Sequence, residues 1–155
     1  MPSKYAFTNQ IPQHQSETII RLLATHCKYL RELFIPNVVV SQGGLEFLHN
    51  NLYGLEELSI IISPENQSAT HVIGRFDTLT RLSLLKHPND LLSDHGVLSP
   101  IRFGCPNLTM LDFEGFDRGI AVEELNLLIA SKVNVLRTFY WTGVMHSSTL
   151  MALGE

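Results

Sequence analysis

Leu108-Thr109-Met110-Leu111-Asp112-Phe113 carries the pattern that decides this chain: leucine, two variable residues, leucine, one variable residue, then an apolar residue. Its last three residues alternate apolar, variable, apolar, which is the period of a strand with one face turned inward. The same hexamer stands earlier as Leu30 to Ile35, Leu55 to Ile60 and Leu79 to Leu84, and later, in looser form, as Leu136 to Trp141. The first positions fall at 30, 55, 79, 108 and 136, spacings of 25, 24, 29 and 28 residues. One such hexamer means little. An ordinary α/β domain is not expected to hold a fixed period, whereas a repeat array must.

Between the hexamers the apolar spacing turns helical. In Ser16 to His26, Ile19, Ile20, Leu22 and Leu23 gather on one side, with Ser16 expected as the cap and Glu17 in the first turn. In Ala121 to Lys132, Val122, Leu125, Leu128 and Ile129 make a similar stripe. Shorter helices are expected over 44–51, 69–76 and 94–103. Strand then helix at a constant period predicts parallel strands joined by right-handed crossovers. The period lies in the window of about 20 to 29 residues of leucine-rich repeats. The expected fold class is therefore α/β: a right-handed leucine-rich repeat solenoid of about five to six repeats, with parallel strands on the concave side and helices on the convex side. Residues 1–155 read as one such domain. A truncated copy at Tyr5 and Phe7 would open it, and the helix pattern starting in 147–155 suggests a fragment of a longer array.

Two places carry a closer likeness. Cys27 stands three residues before Leu30, and Leu92-Ser93-Asp94-His95-Gly96-Val97-Leu98 is followed by Gly104-Cys105-Pro106-Asn107-Leu108 through to Phe113. These stretches resemble the cysteine-containing, ribonuclease-inhibitor-like repeats of F-box/LRR proteins. The second and third hexamers lack the cysteine, having Tyr53-Gly54 and Asp77-Thr78 before the leucine, and the fifth follows Val133-Asn134-Val135. The resemblance implies the substrate-recognition part of a ubiquitin-ligase receptor. It also implies contact with a cullin-ligase adaptor, but through an F-box segment that this chain does not contain.

Composition narrows the partner. The 155 residues are 45% hydrophobic and 17% charged, so much of the chain must be buried. Net charge is −4 with no run of Lys or Arg, which argues against nucleic acid and against an anionic membrane. The first residues lack the apolar core of a signal peptide, and the apolar runs are too short to span a bilayer. Cys27 and Cys105 form no disulfide framework or metal knuckle. A cytoplasmic or nuclear location follows, and the sequons at Asn66 and Asn107 read as chance.

Catalytic readings fare poorly. His87, Asn89, Asp90, Asp94 and His95 match no metal-ligand spacing and read as a solvated loop. The cysteines, in the resembling repeats, are small buried residues whose thiols contact backbone. Glu123-Glu124 opens a helix, where carboxylates suit the dipole, and Glu56-Glu57 faces opposite ways along a strand. Gly43-Gly44 lacks the Lys that a phosphate loop needs. No metal, cofactor or enzymatic activity is expected.

What remains is the strand face turned away from the core. Its first row would hold Glu32, Glu57, Arg81, Met110 and Thr138; its second Phe34, Ser59, Ser83, Asp112 and Tyr140; its third Pro36, Ile61, Leu85, Glu114 and Thr142. Phe34, Ile61, Leu85 and Tyr140 are larger and more apolar than a solvated strip requires, and buried aromatic anchors dominate protein interfaces. The residues expected to bind a protein partner are Phe34, Ile61, Arg81, Leu85, Asp112 and Tyr140. The alternatives are a structural segment of a large assembly with no ubiquitin role, and an enzyme on an unrelated α/β fold.

Overall fold

The computed structural model describes residues 11–62, 67–87, 96–116 and 120–141. Helix and strand alternate throughout: α1 (Gln13–His26), β1 (Glu32–Val40), α2 (Gln42–Asn51), β2 (Glu57–Ile62), α3 (Gln67–Ile73), β3 (Arg81–Lys86), α4 (Ser99–Phe103), β4 (Met110–Glu114), α5 (Val122–Lys132) and β5 (Thr138–Trp141). The strands form one parallel sheet in chain order, β1-β2-β3-β4-β5. Each helix packs on the next, so the helices make a second layer.

The register is the one that the hexamers predict. Leu33, Leu58, Leu82, Leu111 and Phe139 pair in succession across all five strands, and the first four are at most 5% exposed. Leu55, Leu79 and Leu108 are fully buried behind them, as are Ile60 and Leu84, with Phe113 nearly so. The counterparts in the outer strands, Leu30, Ile35, Leu136, Phe139 and Trp141, are only partly buried. A unit covered on both sides buries its apolar face fully, and one covered on one side does not.

Backbone groups repeat with the same period. The carbonyl after each first leucine accepts two N–H groups from the next coil: Arg31 from Glu56 and Glu57, Glu56 from Thr80 and Arg81, Thr80 from Thr109 and Met110, Thr109 from Arg137 and Thr138. All eight distances lie between 2.7 and 3.1 Å. Thr80 and Thr109 add their hydroxyls to the carbonyls of Glu56 and Thr80. This satisfies the strand entrances, where an orphaned buried polar group would be costly.

Side chains tie the helix layer. Ser41, the cap of α2, accepts from the Gly44 N–H and donates to the Glu17 carboxylate of α1. Glu124 in the first turn of α5 accepts from the Gly96 and Leu98 N–H groups. Cys105 takes a left-handed backbone conformation (φ 47°) directly after Gly104. Its buried thiol donates to the Ile73 carbonyl at 3.3 Å, and Lys132, 5% exposed, donates Nζ to the carbonyls of Gly104 and Cys105. Cys105 is thus the small, backbone-bound residue expected of it.

Three expectations are corrected. Ser16 does not cap α1: the helix begins after Pro12, whose φ of −53° is preset for the turn, and the buried Ser16 hydroxyl bonds back to the Pro12 carbonyl. Pro36 does not stand beside Ile61, because β1 slips register between Ile35 and Val39 and Val39 takes the place. Helix α4 is confined to Ser99–Phe103, preceded by turn over 96–98, with 94–95 outside the described residues. The Tyr5 and Phe7 copy and Thr142 also lie outside them.

Candidate functional site

Alternation along each strand sends Leu58, Ile60 and Ile62 to the helix side and Glu57, Ser59 and Ile61 to the other face. That other face divides by depth. Its first row is open or half-open; the second is open at its ends, Phe34 and Tyr140, but buried at Ser59 and Ser83, and Ile61 and Leu85 in the third row are 0% and 1% exposed. Both stand outside the main apolar cluster, so their burial is separate from the helix-side core. The sequence expectation that they present free apolar surface is therefore corrected.

Phe34 and Tyr140 do present it, at 62% and 58% exposure. They occupy the same row on β1 and β5, with Ser59, Ser83 and Asp112 between them. Four strand spacings separate them, about 19 Å at about 4.8 Å per strand. A shallow depression of about 220 Å³ runs from Phe34 along this row, lined also by Glu32, Glu57, Ser59, Arg81, Ser83, Met110 and Asp112. Arg81 and Asp112 were expected on this surface. The depression itself was not, because a cavity depends on side-chain depth, which row membership does not encode.

Polar groups in the depression are partly cross-linked. Arg81 Nη1 lies 3.3 Å from Glu57 Oε1, and its Nη2 contacts Met110 Sδ at 3.5 Å. Ser83 Oγ donates to Asp112 Oδ2 at 3.4 Å. Ser59 Oγ is buried and has no hydrogen-bond partner among the described residues. The lining carries three carboxylates, Glu32, Glu57 and Asp112, against one guanidinium.

On the helix side the chemistry is different. Burial pushes the Cys105 thiol up to about 11, against a smaller opposing pull from the Lys132 ammonium. The same burial lowers Lys132. A thiol so placed is protonated at neutral pH and is a poor nucleophile. Of the loop residues His87, Asn89, Asp90, Asp94 and His95, His87 alone lies among the described residues. Among the described residues no three His, Cys, Asp or Glu side chains gather where an ion could sit, and no helix is long and apolar enough to cross a membrane. Compared with family models, with curated proteins and with solved structures, the chain matches none.

Proposed function

We propose that this chain is a segment of a right-handed leucine-rich repeat solenoid that holds a protein partner on the open rows of its strand face, without catalysing a reaction. The carrying observation is the pair of half-exposed aromatics at the two ends of one row, Phe34 and Tyr140, with a depression starting beside the first. Solvent-facing aromatics cost surface solubility and supply binding anchors. Support for the repeat class comes from the hexamer period together with the carbonyl fork that recurs at each coil. The strand face then lines the concave wall and the helices the convex one. By resemblance, the client would be a ubiquitination substrate and the cullin-ligase adaptor would attach through another segment.

The test is photo-crosslinking. A benzophenone residue in place of Arg81, on the strand face, should capture a discrete protein, and one in place of Leu22, on α1, should not. With that protein purified, Phe34→Ala with Tyr140→Ala should weaken binding by about 2 kcal/mol or more. Capture that is equal from both positions, or insensitive to the two aromatics, would refute the reading. Recovery of the cullin adaptor with full-length protein would separate a receptor role from that of a fixed structural segment.

A further inference from the structure

We infer that the cleft between the turns 27–31 and 52–56 takes an acidic stretch of a protein partner, with an Asp or Glu carboxylate seated at Lys28 and Arg31. The site lies at the rim where helix passes into strand, off the strand rows, and does not depend on the strand-face reading. Register builds it. Glu32 pairs with Glu57, so equivalent positions of these two coils differ by 25, and Lys28-Tyr29 lies level with Tyr53-Gly54. The neighbour of Tyr29 in the next coil is thus a glycine, and among the described residues nothing lies within 4 Å of a Cβ added there. Beside that missing side chain opens a cleft of about 360 Å³, lined by Lys28, Tyr29, Arg31, Tyr53 and Gly54.

Charge selects the occupant. The lining holds two cations and no carboxylate. Arg31 Nη1 does pair with Glu56 Oε1 at 3.2 Å, but with side chains 73% and 45% exposed the pair is weak and can yield to a second carboxylate. Lys28 has no ion pair among the described residues. The rim here therefore carries surplus positive charge on a chain whose net charge is −4, so an acidic segment is steered to this spot against the general repulsion of the molecule. Aromatic surface holds the rest of the segment. Tyr29 and Tyr53 are 96% and 78% exposed, the highest values among the described large apolar side chains. Each ring offers an apolar face and a hydroxyl that can donate to a carboxylate. Nucleic acid fits less well, because two cations in a chain without a basic run cannot track a phosphate backbone.

The experiment is selection of a displayed random decapeptide library on the full chain, discarding clones that also bind a Tyr29→Ser, Tyr53→Ser variant. Surviving peptides are expected to carry an Asp or Glu whose change to Asn or Gln weakens binding at least tenfold. Lys28→Gln with Arg31→Gln should cost a similar factor, and affinity should fall as salt is raised. Gly54→Leu, which fills the cleft, should cost as much while leaving the urea midpoint unchanged. Phe34→Ala with Tyr140→Ala should leave binding as in the wild type, which separates this site from the strand face. Survivors without an acidic residue, or indifferent to the loss of both cations, would overturn the assignment. So would an empty selection, or a uridine decamer that binds the same four side chains more tightly than any peptide.

Discussion

A Cβ built on Gly104 would stand 1.8 Å from the carbonyl oxygen of Gly74, so the third and fourth coils meet backbone to backbone at this point. No side chain fits between them. Gly104→Ala must push the coils apart, opening the Cys105 N–H bond to Gly74 and the Cys105 thiol bond to Ile73 as well. A loss of about 3 kcal/mol is expected, at the upper end for overpacking because the obstacle is backbone. Urea unfolding checks it. Gly54→Ala, where nothing lies within 4 Å of the added carbon, is the control.

Cys105 makes stability fall in alkali. Its folded-state value of about 11 lies above the ordinary 9.0, so the native chain keeps a proton that the unfolded chain gives up. The stabilisation is complete below pH 9 and drains away as pH rises towards 11, by about 2 kcal/mol. Lys132 works the other way: lowered in the folded state, it sheds its penalty as pH rises, so it offsets part of the loss. Urea midpoints of the wild type from pH 8 to 11 should fall further than those of Cys105→Ala. Parallel curves would remove the thiol from the account.

How much of this was legible in the residues differs by level. The rungs were fully legible, because the leucine hexamer recurring every 24 to 29 residues has one arrangement that buries every copy, and Leu33, Leu58, Leu82 and Leu111 pair as that arrangement requires. Helix starts were less so. Ser16 looked like a cap by residue type, but Pro12 upstream began the helix first. The candidate surface was half legible. Alternation placed Ile61 and Leu85 on the right face, yet alternation says nothing about what covers a face, and both are buried. The burial of the Ser59 hydroxyl, without a partner among the described residues, left no sequence signal at all, since serine on a strand face is ordinarily solvated.

Glu124 is expected to hold the turn over 96–98 against α5. Its two carboxylate oxygens accept from the Gly96 and Leu98 N–H groups at 3.2 and 3.0 Å. A charged acceptor makes such bonds stronger than neutral ones, and both backbone donors lose their partner in Glu124→Ala. Stability should fall by about 1 to 2 kcal/mol. Amide exchange at Gly96 and Leu98 should quicken selectively, with Glu124→Gln recovering one of the two bonds. Unchanged exchange at both amides would count against the bridge.

The sharpest contrast sets the two kinds of apolar residue on the strand face against each other. Ile61 and Leu85 are closed off from solvent, while Phe34 and Tyr140 are more than half exposed. Truncating a buried aliphatic side chain removes its transfer energy and leaves a cavity, so Ile61→Ala and Leu85→Ala should each cost about 2 to 5 kcal/mol. Phe34→Ala and Tyr140→Ala remove surface already wet, and should stay within about 0.5 kcal/mol of the wild type. Binding should invert the order: the exposed pair lowers affinity for a strand-face ligand, and conservative Ile61→Val leaves it unchanged. If instead Ile61→Ala unfolds the chain no more easily than Phe34→Ala does, the third row is open in solution, and the binding face is one row deeper than its closed packing allows.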